Sequence, residues 1–220
     1  MNILGIDLNA WRPNVTEDEF DKLHGLGCRF IGVRVSANNE ADWTAEKFVD
    51  MARARGWVTF GYHYLSADKG DSNLQNGYEQ GRVYAEAASA LDLDGHFLDV
   101  EDGDTQWADV VAAVERMRAG TGEAIGLYSR RSFFEPKFGE RDDIFDFEWM
   151  ADYREAPNGV WLAKWEEFAA EAESDEALWQ FSDELKWRYD KADGTKATRS
   201  VDGNLFAGSQ VDLLYYLKGR

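Results

Sequence analysis

The sequence predicts an α/β barrel of eight strands, built as one domain over residues 1–220, with fewer than eight helices around it. Three observations carry this. Eight short, β-rich apolar runs punctuate the chain, helical patterns alternate with the early ones, and the length falls within the roughly 200 to 250 residues that one such barrel occupies.

Taken in order, the strand candidates are Ile3 to Leu8, Phe30 to Val35, Val58 to Tyr64, His96 to Glu101, Ala124 to Tyr128, Val160 to Trp165, Ala177 to Ser182 and Val201 to Phe206. The first helix opens at Thr16-Glu17-Asp18-Glu19, where Thr16 can cap the amide ends and Glu19 can close a capping box. Asp42 to Arg55, Ser72 to Leu91 and Thr105 to Ala119 supply three more, and Val211 to Leu217 reads as a closing helix. This alternation implies parallel strands joined by right-handed helical crossovers. After Tyr128 the pattern degrades. Phe133 to Pro157 is mixed and aromatic, and the polar segment Asp183 to Arg199 lacks helical periodicity, so some helices should be missing from the second half.

Composition narrows the chemistry. With 24 basic and 42 acidic side chains the formal charge is -18, which repels a phosphate backbone and leaves no counterion-release drive toward nucleic acid. The same charge predicts weak attraction to anionic membranes or wall polymers, so recognition should come from a shaped groove suited to neutral sugar faces. Nine Trp, nine Tyr and thirteen Phe make the chain too aromatic for a disordered polymer. Cys28, the only cysteine, cannot form an intrachain disulfide and reads as a small core residue. The start, Met1 to Asp7, lacks a basic segment and meets a carboxylate too early for a signal peptide, so synthesis in the cytoplasm is expected; no long apolar run suggests membrane insertion.

The chemistry centres on Phe97-Leu98-Asp99-Val100-Glu101-Asp102. Alternation on a strand points Asp99 and Glu101 to one side, at the strand end where barrel enzymes place their reacting groups. Like charges held close raise the proton affinity of one partner, giving an acid and a persistent carboxylate, the division of labour that glycosidic cleavage requires. An isolated Asp-x-Glu in so acidic a chain also reads as a solvated strand end. Other chemistries lack their residues. His24, His63 and His96 form no zinc-binding pattern, the turn Asp102-Gly103-Asp104 does not match a calcium loop, and no nucleophile elbow, phosphate loop or dinucleotide fingerprint is present. No metal and no cofactor are expected.

A series of motifs gives Asp-x-Glu its context. Gly5-Ile6-Asp7-Leu8, Phe30-Ile31-Gly32-Val33-Arg34, Gly61-Tyr62-His63-Tyr64, Phe97 to Glu101, Trp179-Gln180-Phe181-Ser182 and Val201-Asp202-Gly203-Asn204-Leu205-Phe206 follow one another along most of the chain. In this order they resemble the motifs of the Chalaropsis-type lysozymes, glycoside hydrolase family 25, found among bacteriophage endolysins and bacterial muramidases. The resemblance implies a flattened TIM-like barrel and hydrolysis of the β-1,4 bond between N-acetylmuramic acid and N-acetylglucosamine in peptidoglycan. It supports catalytic roles for Glu101, Asp99, Asp7 and Asp202; neighbouring negative charge and partial burial then predict a resting Glu101 that is protonated and acts as general acid beside an ionised Asp99, with Asp7 and Asp202 tuning the pair or, in the rival scheme, activating a water. Without the resemblance, Asp7 and Asp202 read as strand-end carboxylates bound to backbone amides or to Arg34.

Arg34 matches a position where the family often has a basic residue, and Tyr62, Tyr64, Tyr128 and Trp179 are candidates to stack on sugar faces, although aromatics at strand ends also serve cores. Two stretches depart from the family: Leu8-Asn9-Ala10-Trp11-Arg12 has no Gln, and Ser36-Ala37-Asn38 replaces Thr-Glu-Gly. These bear on sugar contacts more than on the carboxylates. The resulting expectation is a monomeric muramidase, a phage endolysin released to the bacterial wall by a separate holin-type pore. The alternative is a glycan-binding module on the same fold that has lost catalysis.

Overall fold

A computed structural model describes residues 2–67, 74–139, 141–154, 159–171, 177–190 and 195–219. Eight strands close into a barrel: β1 (Asn2–Leu8), β2 (Cys28–Ala37), β4 (Val58–Tyr64), β5 (Gly95–Asp99), β6 (Ile125–Ser129), β7 (Glu148–Ala151), β9 (Leu178–Asp190) and β10 (Lys196–Ala207). Two short strands lie off this ring, β3 (Glu40–Ala41) against β2 and β8 (Val160–Trp161) against β9. The expected fold class holds. Among the described residues there are seven α-helices: α1 (Glu17–Gly25), α2 (Ala45–Arg53), α3 (Leu74–Ala88), α4 (Trp107–Thr121), α5 (Arg131–Phe138), α6 (Trp165–Glu171) and α7 (Gln210–Tyr216). Thr16 and Glu19 form the expected reciprocal capping box at the start of α1. The expected helix start at Ser72 lies outside the described residues. No described helix is long and apolar enough to cross a membrane.

Two elements differ from expectation. Neighbours from β1 through β2, β4, β5, β6 and β7 to β9 run parallel, but β10 is antiparallel to both β9 and β1. β9 and β10 pair antiparallel from Asp190 opposite Lys196 to Leu178 opposite Phe206, so β10 closes the ring in the reverse direction. The second difference is the sixth stave. Val160 to Trp165 contributes only the two residues of β8 and then turns helical, because Val160, Leu162 and Trp165 pack on the outer core beside α1. The stave is instead β7, four residues within the aromatic stretch that carried no clear period.

The interior is stacked in layers. Ile3, Phe30, Val58, Phe60, Phe97, Leu178 and Phe206 fill the lower barrel, and Leu213 and Leu217 close it from α7 and the residues just beyond. Above them Trp149 meets Phe60, Phe97, Tyr62 and Tyr128 at ring-centroid distances of 5.2, 5.5, 5.8 and 4.5 Å, and its indole N–H donates to Asn204 Oδ1 at 2.8 Å. A glycine makes room for that ring: a Cβ on Gly32 would lie 2.7 Å from Phe60 and 3.0 Å from Trp149. The polar side chains of the site stand on this aromatic plug.

Candidate active site

A groove of about 920 Å³ opens over the plug, at the end of the barrel where the parallel strands finish. Asp7, Arg34, Tyr62, Tyr64, Asp99, Glu101, Tyr128 and Asp202 all line it. Strand alternation accounts for this: residues two apart share a face, so Gly5 and Asp7, Phe30 and Arg34, Phe60 and Tyr62, or Phe97 and Asp99 rise from core to groove on one stave. Trp179 does not join them. It is buried in the outer core against Phe168 and Phe181, and its indole donates to the Asp152 carbonyl. Trp179 is thus a packing residue, and its neighbour Gln180, on the opposite face of β9, lines the groove instead.

Gln180 is the hub of the floor. Its Nε2 donates to Asp7 Oδ1 at 2.9 Å, while its Oε1 accepts from the Tyr128 hydroxyl at 2.7 Å and from the Tyr153 hydroxyl. Asn204 Nδ2 adds a second donor to Asp7 at 2.8 Å. Asp202 sits opposite Asp7 in the β1–β10 register and hydrogen-bonds to it. Two carboxyls in contact need a proton between them. Burial pushes both upward, Asp7 to about 6 and Asp202 to about 9, Asp202 being raised further by the charge of Asp7.

Asp99 and Glu101 differ in environment. Asp99 ends β5 and is 4% exposed, with Oδ1 making no hydrogen bond. Glu101 lies beyond the strand, its side chain 28% exposed and its Oε2 3.6 Å from the Arg130 guanidinium. The segment between them is tied down by Val100 N–H donating to the Tyr128 carbonyl and Ser129 Oγ donating to the Val100 carbonyl. Burial, then the charges of Glu101 and Asp7, hold the Asp99 carboxyl well above the usual carboxylate range, against the pull of Arg34 and Arg130. The expected ionisation of Asp99 is thus opposed by burial, because desolvation acts most on the deeper carboxyl.

Arg34 does not reach Asp7 or Asp202. Its Nε pairs with Asp42 Oδ2 at 2.9 Å. Tyr62 and Tyr128 are 6% and 7% exposed, so they form the floor of the groove rather than broad platforms, with Tyr62 Oη accepting from Asn9 at 3.3 Å. His63 faces away from the groove, bonded to Ser36 Oγ and Gln80 Oε1, and burial lowers it to about 4, which keeps it neutral. Among the described residues no group of three or more His, Cys, Asp or Glu is arranged to hold a metal ion. The turn after Glu101 uses Asp102 internally, accepting from the amides of Ala67 and Asp104.

Sequence reasoning missed Gln180, Asn204, Asp42, Tyr153, Arg130, Trp11 and Trp43. For Gln180 a signal existed, since a Gln between Trp179 and Phe181 on a buried strand must find hydrogen-bond partners inside. The loop residues carry no such local signal.

Comparison with known proteins gives the family and the fold. The family model for glycosyl hydrolases family 25 matches residues 6–188. No curated protein sequence matches the chain. Among solved structures, the catalytic domain of an endolysin from a Listeria monocytogenes bacteriophage is similar at 18% identity, with a TM-score of 0.72, over 100% of this chain and 98% of that one. A family 25 glycosyl hydrolase of Streptococcus pneumoniae, described as a virulence factor in host cell invasion, is similar at 19% identity, TM-score 0.70, over 98% and 92% of the two chains. A lysozyme from Streptomyces coelicolor is similar at 16% identity, TM-score 0.65, over 98% and 97%. At these identities the structural likeness speaks to the fold.

Proposed function

We propose, from the premise that this chain belongs to glycosyl hydrolases family 25, that it is an N-acetylmuramidase cleaving the β-1,4 bond between N-acetylmuramic acid and N-acetylglucosamine. The observation that carries the reading is the unequal pair Asp99 and Glu101 at the strand-end face of the barrel, one deeply buried and one presented to the groove. Glu101 is positioned to protonate a leaving oxygen in the groove. Asp99 is costly to ionise in the empty site, but that cost falls when positive charge develops at the anomeric carbon, so its stabilising effect is greatest in the transition state.

Both carboxyls come from the end of β5 and the residues just after it, which favours attack by the substrate's own 2-acetamido oxygen, with Asp99 orienting that group and balancing its charge. In this scheme Glu101 passes a proton to the leaving oxygen as the glycosidic bond breaks, while Asp99 balances the positive charge that forms on the acetamido group. Asp7 and Asp202 are engaged with each other, and Asp7 also with Gln180 and Asn204, which supports a role in fixing the floor rather than in activating water. Product anomer analysis separates the two routes, since net inversion would exclude the substrate-assisted one.

The function itself is tested by incubating the protein with purified peptidoglycan and identifying the new reducing sugar. A muramic acid end is expected. A glucosamine end would make the chain a glucosaminidase, and no new end would favour a glycan-binding module. Its biological setting follows as part of the same proposal: a monomeric phage endolysin made in the cytoplasm and released by a separate holin-type pore. Lysis by the cytoplasmic protein only when such a pore is co-expressed is the expected result.

A further inference from the structure

The groove extends past its carboxylate floor to two indoles that neither the core nor the reaction accounts for. Trp11, on the turn after β1, and Trp43, between β3 and α2, are 78% and 74% exposed, and both line the groove. Trp57, Trp149 and Trp187 are by contrast fully buried.

One buried carboxylate fixes the backbone beside both rings. Asp42 Oδ2, already paired with Arg34, accepts from the Ala10 amide at 3.0 Å; its Oδ1 accepts from the Thr44 amide at 3.0 Å and the Thr44 hydroxyl at 2.6 Å. Asn9 Oδ1 accepts from the Trp11 amide at 2.9 Å. Asp42 therefore anchors the residue before Trp11 and the residues on either side of Trp43. A ligand meeting these rings has little backbone left to order, which lowers the cost of stacking.

Trp43 stands apart from the bond that breaks, and Trp11 lies past the end of β1, four residues beyond Asp7. β2, which carries β3 on its edge, is separated from β5 by β4. At about 4.8 Å between strands, the Trp43 loop leaves the barrel roughly 10 Å from the strand that bears Asp99. The groove lining also holds polar side chains, Asn38, whose Oδ1 accepts from the Ser66 hydroxyl, and the exposed Glu40.

Building on the muramidase reading, we propose that Trp11 and Trp43 form a remote aromatic subsite, stacking on pyranose rings of the glycan strand beyond the sugars that flank the scissile bond. A flat indole face suits the apolar face of a neutral sugar and needs no charge attraction, which an acidic groove does not offer to an anionic strand. The occupant is the same strand that enters the catalytic groove, because the rings continue that groove without a break.

The test reads binding rather than turnover. In a Glu101→Gln background, β-1,4-linked N-acetylglucosamine oligomers from disaccharide to hexasaccharide are titrated by tryptophan fluorescence and by calorimetry. Affinity should rise with length, and Trp11→Ala or Trp43→Ala should remove that rise, weakening the hexasaccharide by about tenfold, the scale of an aromatic stacking contact, while the disaccharide changes little. Trp11→Phe and Trp43→Phe should restore part of the loss. Trp161→Ala, which removes an exposed indole outside the groove, should have no effect. Equal loss for short and long oligomers, no loss, or no binding by any oligomer would each overturn the subsite. Because no step requires hydrolysis, these outcomes are independent of whether peptidoglycan yields a muramic acid end.

Discussion

Asp99 and Glu101 are two residues apart, yet the barrel treats them differently, and it is this difference that can do chemistry. The strand places Asp99 in the dry floor; the first residues of the turn carry Glu101 to the groove wall beside Arg130. Glu101→Gln should lower turnover on peptidoglycan by about two to four orders of magnitude, the usual worth of a general acid, with an unchanged thermal midpoint. Wild-type turnover in that variant would remove the assignment. Asp99→Asn keeps the shape but cannot become an anion when positive charge forms, so kcat should fall far more than KM rises. A raised KM with kcat unchanged would mean that Asp99 merely helps to bind. The inward face of Asp99 was legible from a period of two, whereas Glu101 reaches the same groove from the turn after β5. The role of Trp179 was misread because a motif names residues without saying which alternate face looks inward. One position along, Gln180 carries the interaction with Asp7.

At the scale of elements, the early staves were legible because each alternates with an amphipathic helix, and Thr16 with Glu19 marked the start of α1 correctly. β7 was not, since four residues cannot display a period and three of them, Trp149, Met150 and Ala151, are buried in succession. Val160, Leu162 and Trp165 imitated a strand because their apolar spacing serves the outer core. The plug is tight enough to predict from. Gly32→Ala would drive a methyl to within 2.7 Å of Phe60 and 3.2 Å of the Asp7 Cβ, and should cost about 1 to 3 kcal/mol, read as a lower denaturant midpoint. The seam between β1 and β10 makes a second prediction. Asp202 is raised to about 9 from an ordinary value of 3.8, so its contribution to stability is present below pH 4 and is lost as pH rises toward 9. Asp202→Asn has no such proton to lose. The parent midpoint should therefore fall across this range while that of the variant stays flatter, and parallel curves would argue against a shared proton at the seam.

On the scale of the whole molecule, the charge of -18 and the groove work against each other when the substrate is an intact wall. Glu40, Asp42, Glu101 and Asp183 border the groove beside the raised carboxyls Asp7, Asp99 and Asp202, with Arg34 and Arg130 as cationic side chains, and Arg34 is already engaged by Asp42. A muramyl strand brings its own carboxylates, so its approach is opposed at long range and favoured only at contact, where rings and hydrogen bonds act. Screening should relieve the first effect and leave the second. Raising ionic strength from about 0.01 to about 0.15 M shortens the Debye length from about 30 to about 8 Å, enough to mask the body of the protein from the wall but not the contacts inside the groove. The apparent kcat/KM on intact walls should then rise over that range, while the affinity for neutral N-acetylglucosamine oligomers stays constant. A rate on walls that fell with added salt would mean that a local cationic surface, and not the net charge, governs the encounter. Arg130, half-exposed beside Glu101, is the side chain whose neutral variant would then be expected to abolish the dependence.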